Sequence, residues 1–362
     1  RAKILGGFPW NLWAYSFSSF TEIIQILNNV GLFAFNLFSI TIFMLPAVVF
    51  MNLNLPKKSI LVVLIPLLLF FSYIYGNYSI NQNKKNLSLI KEKYFVKVIS
   101  PNFDLKYNLD KSEIETRLVK LIKYSEPDRN LRTLFVWPEG VFSGYSFEEV
   151  VYLKEIFFNN FGKKHLILFG VNKSDTNKKG FYNSLVIVDH RMNIIKEYHK
   201  QKLVPFGEFL PFEKFLNQVG IKKITEGHSS FLSGSDQKNL VINNLNILPL
   251  ICYEVIFTKF IQRSDPKTNL IINISEDGWF GNSIGPYQHF IKGIYRAIEQ
   301  NSFLIRSTNK GLSVIINNKG EIIKKLNPNE TGNLELEVPL LQNKNKNKND
   351  LIFFALLITY TL

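Results

Sequence analysis

Cys252 is the only cysteine of the 362-residue chain, and it directly follows an apolar run at 247–251. A lone thiol cannot close a disulfide within the chain, so its role is either chemical or simple packing. Two other segments favour chemistry. Leu-Phe-Val-Trp-Pro-Glu-Gly contains Glu139, and Tyr-His-Lys-Gln-Lys-Leu-Val-Pro-Phe-Gly-Glu contains Lys200 and Glu208. Each segment places an ionisable side chain where a strand-like run ends.

These residue types suit nucleophilic catalysis. A free thiol has a pKa of about 8.5 and is mostly protonated at neutral pH, so a nucleophilic cysteine needs a base or a neighbouring cation. Glu139 can take the thiol proton, while Lys200 and a backbone N–H near Tyr253 can hold the oxyanion of a tetrahedral intermediate. In layered α/β folds, reactive groups gather at strand ends that face a crevice. The sequence therefore predicts one covalent-catalysis site that needs no metal and no cofactor.

The elements that would position this site come from residues 94–338, in which strand-like and helix-like patterns alternate without an internal repeat. The predicted strands are 95–99, 133–137, 166–171, 185–188, 194–198, 246–251, 270–274, 303–307 and 312–316, and the predicted helices are 111–125, 146–159 and 287–300. The polar turn 189–193 predicts a hairpin that ends just before Lys200. This alternation is typical of the α/β class with mixed sheets, but the pattern alone does not tell how the sheets stack.

Glu139, Lys200 and Cys252, in this order, resemble the Glu-Lys-Cys triad of the nitrilase superfamily of carbon-nitrogen hydrolases. Further motifs resemble its membrane branch, the apolipoprotein N-acyltransferases: Trp-Pro-Glu-Gly, Lys-x-x-Leu-Val-Pro-Phe-Gly-Glu, Cys-Tyr-Glu, Asp-Gly-Trp-Phe-Gly at 277–281 and Gly-Pro-x-Gln-His at 285–289. The segments 6–10 and 296–311 are also similar to that branch, although the first carries no chemistry that we can argue. Each motif is weak singly, but together, in the family's order, they indicate an enzyme.

The resemblance implies a nitrilase-like four-layer α-β-β-α sandwich inserted between transmembrane helices. It also implies ping-pong acyl transfer, in which Cys252 attacks an acyl ester of a glycerophospholipid and the thioester passes its chain to the N-terminal amine of S-diacylglyceryl cysteine in a bacterial apolipoprotein. Glu139 would be the general base and acid, and Lys200 would stabilise the oxyanion. The implied partners are a phospholipid donor, a diacylglyceryl apolipoprotein acceptor and the bilayer, around a monomeric enzyme.

Further residues would support this reaction. The resemblance makes Glu208 a second active-site carboxylate that orients the lysine or the incoming amine; the alternative is a surface carboxylate. Tyr253 would line the acyl pocket or contribute backbone to the oxyanion site, and Glu254 would be the ion partner of a basic residue. Trp137 and Trp279 either line a lipid groove or pack in the core.

Four phenylalanines recur at a spacing of three in a segment with prolines and a glycine: Phe206, Phe209, Phe212 and Phe215. Such a loop could dip into the lipid headgroups and act as a lid over the site. The alternative is a short helix with one buried face. We predict the lid, with Phe209 and Phe212 contacting lipid.

Other segments suit a bilayer. Residues 30–51 contain no charge in 22 positions, which at about 1.5 Å per residue is enough to cross about 30 Å of hydrocarbon. Residues 60–75 form a second apolar run after a short connection, which favours a helical hairpin. A third apolar segment, 351–362, stops at the chain end, and the chain begins at Arg1 without a methionine. The sequence therefore predicts a protein truncated at both ends.

The predicted domain order is a membrane region at 1–78 with helices near 30–51 and 60–75, a linker at 79–93, a catalytic domain at 94–338, a Lys/Asn linker at 339–350, and the start of a transmembrane helix at 351–362. Lys57 and Lys58 in the short connection predict that it faces the cytoplasm. The catalytic domain then lies on the periplasmic face of a bacterial inner membrane, in a multi-pass protein. Three lysines at 344, 346 and 348 disfavour that orientation.

Composition limits the classes of partner that the protein is expected to bind. The formal net charge of +14 either attracts the protein to anionic lipid or says nothing about partners. Basic residues are spread along the chain without a nucleic-acid-binding motif, so nucleic acid is not expected to bind. The five histidines lack metal-ligand spacing, and His289 is interpreted as structural. Two alternatives stay open: a membrane-tethered amidase or nitrilase acting on a soluble small molecule, and a silent binding module with the same fold.

Overall fold

The computed structural model describes residues 8–51, 54–106, 109–211, 230–235, 239–261, 265–342 and 349–361. The helices in these ranges are α1 (Leu27–Met44), α2 (Leu55–Leu89), α3 (Lys111–Ser125), α4 (Phe147–Val150), α5 (Lys154–Asn160), α6 (Thr258–Ile261), α7 (Gly285–Glu299) and α8 (Asn349–Thr361). The strands are β1 (Lys93–Ser100), β2 (Thr133–Val136), β3 (Leu166–Asp175), β4 (Gly180–Val188), β5 (Ile194–His199), β6 (Leu240–Ile242), β7 (Leu245–Ile251), β8 (Leu270–Glu276), β9 (Phe303–Asn309), β10 (Ser313–Ile316), β11 (Ile322–Leu326) and β12 (Gly332–Pro339).

The strands form two six-stranded sheets, one in the order β12-β1-β2-β3-β4-β5 and the other in the order β11-β10-β9-β8-β7-β6. The three central strands of each sheet, β1 to β3 and β7 to β9, are parallel, and the flanking strands pair antiparallel. The predicted α/β class with mixed sheets is therefore confirmed. The sequence analysis missed β6, β11 and β12; β6 is very short and β11 is largely exposed, so neither has a strong apolar pattern.

Successive residues of the first sheet point into different layers, because side chains alternate along a strand. Leu134 and Val136 of β2 belong to the core shared with the second sheet, whereas Phe135 between them packs with residues of α3 and α5. The second sheet is covered on its other side by α7, where Gly293 lies against Leu304 of β9. The layers follow the order α-β-β-α. The predicted helix 146–159 is divided into α4, a 3-10 turn at Val151–Leu153, and α5.

Helix α1 is joined to the second sheet through α7. Gly31 interrupts α1 with φ 77° and ψ 168°, a conformation open mainly to glycine. The next main-chain N–H, that of Leu32, donates a hydrogen bond to Oε1 of Glu299 at 2.9 Å. The Glu299 carboxylate is also 2.7 Å from Nη2 of Arg296. The buried Arg296 and Glu299 of α7 thus hold the backbone of α1 at its break.

Two segments are long and apolar enough to cross a membrane, Ile23–Val48 and Val62–Leu89. Most of their side chains are not buried by the protein, and apolar surface of this extent indicates a lipid or protein partner. Helix α8 packs beside α1, with the rings of Phe33 and Phe353 6.2 Å apart. Helix α2 has 35 residues and ends at Leu89. The stretch predicted as a linker at 79–93 is therefore mostly helical.

Helix α2 touches the chain that leads into α1 at Gly76. A Cβ atom on Gly76 would lie 1.8 Å from the carbonyl oxygen of Glu22. We expect Gly76→Ala to push α2 away and to lower the free energy of unfolding by about 1–3 kcal/mol. Thermal unfolding of the purified protein measures this loss. Asn77→Ala changes an exposed neighbour and should leave the midpoint almost unchanged; equal losses in both variants would show that the contact does not matter.

Candidate active site

Three strand ends bring Glu139, Lys200 and Cys252 together. Glu139 follows the end of β2 after a Trp-Pro pair, Lys200 directly follows β5, and Cys252 directly follows β7. Nζ of Lys200 is 3.5 Å from Oε1 of Glu139. All three residues line one cavity of about 1140 Å³. Segments that are far apart along the chain therefore share one site.

Lys200 is buried between two carboxylates. Its Nζ is 2.7 Å from Oε1 of Glu208, and Glu139 lies on its other side. Burial alone would lower the pKa of Lys200, but the attraction of Glu208 and Glu139 outweighs burial and raises it. The ammonium is therefore a permanent, fixed positive charge. Glu208 is in the site, and the alternative of a surface carboxylate is wrong.

Asn183 holds the same two carboxylates and was not predicted. Its Nδ2 donates to Oε1 of Glu139 at 2.7 Å and to Oε1 of Glu208 at 2.8 Å. The one signal in the sequence is that Asn183 is an amide next to the apolar part of β4. By donating to both carboxylates, Asn183 holds Glu139 and Glu208 at positions where each can contact Lys200.

Cys252 lies on a strained turn. Its φ of 49° falls in the left-handed region that residues with a Cβ rarely occupy. The carbonyl oxygen of Cys252 accepts hydrogen bonds from Nε2 of His289 at 3.2 Å and from Nδ2 of Asn273 at 3.4 Å. These two donors hold the turn between β7 and the 3-10 helix that follows, and so aim the thiol into the cavity.

The Cys252 thiol is protonated at rest. Burial raises its pKa, and the negative charge of Glu139 raises it further, whereas Lys200 opposes both effects. Since only the thiolate attacks efficiently, the proton must leave during the reaction. Glu139 is the predicted acceptor of that proton, and its carboxylate is fixed in the same cavity, because its Oε2 accepts the main-chain N–H of Glu276 at 3.0 Å.

A buried network fixes His289 behind the thiol. The carbonyl oxygen of Cys252 can only accept, so Nε2 of His289 donates to it, while Nδ1 lies 2.9 Å from Nη2 of Arg306 and 3.0 Å from Oδ1 of Asp277. Burial and the charge of Arg306 lower the pKa of His289, although Asp277 opposes them. Arg306 also pairs with Asp277 at 2.8 Å. The contacts agree with the structural interpretation of His289.

Glu254 supports the turns that carry the lysine and the cysteine. One carboxylate oxygen accepts from the Tyr198 hydroxyl at 2.8 Å and from the main-chain N–H groups of Gln201 and Lys202 at 2.8 and 3.1 Å; the other accepts from the N–H of Ile251 at 2.9 Å. No basic side chain of the described residues forms an ion pair with it. The prediction that Glu254 is the ion partner of a basic residue is therefore corrected: it joins two main-chain turns.

The segment before α1 forms an apolar wall of the cavity. Phe8 and Trp10 line it together with Tyr253. The ring of Phe8 stacks 6.2 Å from that of Tyr253, and Nε1 of Trp10 donates to Oε1 of Gln288 at 2.8 Å. Burial raises the pKa of Tyr253 to about 12, so the wall stays uncharged. Sequence reasoning found the motif at 6–10 but had no reason to place it here.

The structure places Trp279 in the cavity and Trp137 in the core. Trp279 lines the cavity and is 47% exposed. Trp137 is fully buried, with its ring 5.7 Å from that of Phe157, and its Nε1 donates to Ser125 at 2.9 Å. The prediction that Trp137 lines a lipid groove is therefore wrong. Its side chain points to the side of the sheet that packs against the helices, not into the cavity.

The predicted lid is described only in part. Residues 204, 205, 207 and 208 line the cavity. Phe209 is half-buried beside them, and its carbonyl oxygen accepts the N–H of Phe206 at 2.8 Å. Phe212 and Phe215 lie outside the described residues. The tight turn at 204–209 therefore borders the site, and the lid itself stays a prediction.

Residues 101–342 match the family model of the carbon-nitrogen hydrolases. The apolipoprotein N-acyltransferases of Rickettsia typhi and Rickettsia prowazekii are each 33% identical to this chain, over 94% of this chain and 67% of their own length. The apolipoprotein N-acyltransferase of Rhodopseudomonas palustris is 30% identical over 94% of this chain and 65% of its own. The chain thus spans about two thirds of the length of these relatives.

Solved structures share the fold. Saccharomyces cerevisiae Nit3, a member of branch 10 of the nitrilase superfamily, matches with a TM-score of 0.50 and 14% identity, over 75% of this chain and 96% of Nit3. A CN-hydrolase superfamily protein of Xanthomonas campestris matches with a TM-score of 0.50 and 14% identity, over 68% of this chain and 91% of its own. With the family match and the sequence relatives, the chain belongs to the carbon-nitrogen hydrolase family and, within it, to the apolipoprotein N-acyltransferases, which are acyltransferases.

Proposed function

We propose that this protein transfers an acyl chain from a glycerophospholipid to the N-terminal amine of S-diacylglyceryl cysteine in bacterial apolipoproteins. The observation that carries the proposal is one cavity that joins two features. Glu139, Lys200 and Cys252 line this cavity, and so do the apolar side chains of Phe8 and Trp10, which precede α1 along the chain. The names of the relatives support the acceptor class.

In the first half-reaction, the sulfur of Cys252 attacks the carbonyl carbon of the acyl ester while Glu139 takes the thiol proton. The ammonium of Lys200, together with a backbone N–H near Tyr253, stabilises the oxyanion. The carbon–oxygen bond to glycerol then breaks, and Glu139 returns the proton to the leaving oxygen. A lysophospholipid departs and a thioester remains on the enzyme.

In the second half-reaction, the amine of the acceptor attacks the thioester and the thiol is regenerated. Thioesters react readily with amines, so the transfer needs no ATP. Water would waste the intermediate by hydrolysis, and the apolar wall of the cavity disfavours water near the thioester. Glu208 and Asn183 hold the lysine and the base in place throughout, since both contact Glu139 or Lys200 directly.

We place the enzyme in the bacterial inner membrane as a multi-pass monomer, with its catalytic domain at 94–338 on the periplasmic face. The exposed apolar surfaces of α1, α2 and α8 support insertion into lipid. Phe8 and Trp10, which precede α1 along the chain, also wall the cavity, so a lipid tail could enter from the bilayer. Lys57 and Lys58, at the start of α2, support a cytoplasmic location for that end of the helix.

Incubation in phospholipid vesicles tests the proposal. We expect mass spectrometry to find a hydroxylamine-sensitive acyl adduct on Cys252, and we expect a diacylglyceryl-cysteine peptide to remove it as the peptide gains an amide-linked chain. Cys252→Ala is the control and should carry no adduct. Folded wild-type protein without an adduct would contradict the lipid-donor mechanism, and release of ammonia from small amides would then indicate the hydrolase.

Glu139→Gln tests the general base. The amide keeps the size of the side chain but cannot take the thiol proton, so adduct formation should slow by about 10²–10⁴-fold. The rate is measured by mass spectrometry over time in the same vesicles. Glu148→Gln removes a carboxylate that is partly exposed and pairs with Lys173, and it should keep the wild-type rate. A Glu139→Gln enzyme that acylates at the wild-type rate would exclude Glu139 as the base.

A further inference from the structure

Glu276 is a buried carboxyl group in the cavity to which the mechanism above gives no role. It ends β8, is 7% exposed and lines the cavity. Its main-chain N–H binds Oε2 of Glu139, so its backbone adjoins the general base. Oε1 of Glu276 accepts from the N–H of Gly278 at 2.9 Å, and Oε2 accepts from Nδ2 of Asn309 at 2.8 Å. Each oxygen therefore has room for a second donor.

Carboxyl groups outnumber cations among the described residues that line the cavity. Glu139, Glu208 and Glu276 line it together with Lys200, and the lysine is within ion-pair distance of the first two. In the described part of the chain, no lysine or arginine forms an ion pair with Glu276. The positive charge of Arg117 acts on Glu276 from beyond ion-pair distance. A buried carboxylate without a close counter-charge is costly, and a cationic ligand would supply one. The proposed acceptor brings one, because an α-amino group with a pKa of about 8 is mostly an ammonium at neutral pH.

The proton count of the two half-reactions differs. Moving the acyl chain from an ester to the thiol releases no proton, because Glu139 carries the thiol proton to the leaving oxygen. Transfer of the acyl chain from the thioester to an ammonium releases two protons. Loss of the first exposes the lone pair of nitrogen, and the second leaves as the amide forms. Glu139 can return one of them to the sulfur. The other needs a second base in a cavity that must disfavour water.

We propose that Glu276 is this second base and binds the ammonium of the acceptor. An N–H bond of the ammonium breaks, an O–H bond forms on the Glu276 carboxylate, and the free amine attacks the thioester. Glu276 releases the proton to solvent when the product leaves. The inference rests on the N-acyl transfer proposed above and extends it to the recognition of a cationic acceptor.

The titration of Glu276 suits the task. Burial, with smaller contributions from the charges of Glu139 and Asp277, raises the pKa of Glu276 to about 8, although the donors Asn309 and Gly278 oppose the shift. At pH 7 the free carboxyl group is therefore mostly protonated, and the positive charge of a bound ammonium favours the carboxylate that the step needs. Because the pKa of an α-ammonium is also about 8, a proton moves between the two groups at little cost.

Glu276→Gln separates the two half-reactions in phospholipid vesicles. Adduct formation on Cys252 should stay within about threefold of wild type, because it needs only one base. Transfer to the diacylglyceryl-cysteine peptide should slow by about 100-fold at pH 7. The difference should narrow as the pH rises above about 8, where the peptide is a free amine. Hydroxylamine is largely unprotonated at neutral pH, so it should remove the acyl chain from both enzymes at similar rates.

The controls separate this role from a structural one. Glu148→Gln removes a partly exposed carboxylate that pairs with Lys173 and does not line the cavity, so both half-reactions should be unchanged. Glu276→Asp keeps a carboxylate and should recover part of the transfer rate. Unchanged peptide transfer in Glu276→Gln overturns the proposal. Equal slowing of adduct formation, hydroxylamine release and peptide transfer also overturns it, because Glu276 would then only position Glu139.

The same experiment separates the failure of this inference from the failure of the proposed function. Wild-type protein that forms the adduct and passes it to the peptide supports the acyl transfer whatever Glu276 does. Wild-type protein without an adduct contradicts both the acyl transfer and the role of Glu276.

Discussion

The burial of Lys200 between Glu208 and Glu139 is the interaction on which the rest of the site depends. An ammonium taken out of water is tolerated only when opposite charge and hydrogen bonds replace its hydration. Here two carboxylates surround it at 2.7 and 3.5 Å, and Asn183 holds both. Glu139 and Lys200 follow two strands of the first sheet, whereas Cys252 follows a strand of the second. The face-to-face packing of the two sheets therefore brings the sulfur into the same cavity as this ion pair.

Further hydrogen bonds fix the position of the Cys252 sulfur relative to Lys200. Glu254 connects the turn after Lys200 to the residue before Cys252, and His289 with Asn273 holds the carbonyl oxygen of the strained cysteine. All of these groups are buried, so each contact is stronger than it would be in water. The site is therefore preorganised before any substrate arrives, which is what electrostatic stabilisation of an oxyanion needs.

The apolar helices are connected to the candidate active site. The chain from Phe8 to Trp10 walls the cavity and then continues into α1, and Glu299 at the end of α7 receives the N–H of Leu32 just after the break at Gly31. Helix α7 also carries His289 near its beginning. One helix thus contacts both the thiol turn and the start of the apolar region, which links the chemistry to the surface from which a lipid would come.

The amino-acid sequence by itself determined the strands β1 to β5 and β7 to β10, the long apolar segments and the residue types of the triad, because periodicity and motifs are local properties that need no knowledge of the fold. It did not reveal the exposed strand β11, the break of the helix at Val151–Leu153, or the burial of Trp137. Only the tertiary structure decided that Asn183 and Glu276 contact Glu139, across separations of 44 and 137 residues. Hydrogen bonds and charge interactions depend on distance in space, and for such residues that distance is set by how the two sheets pack.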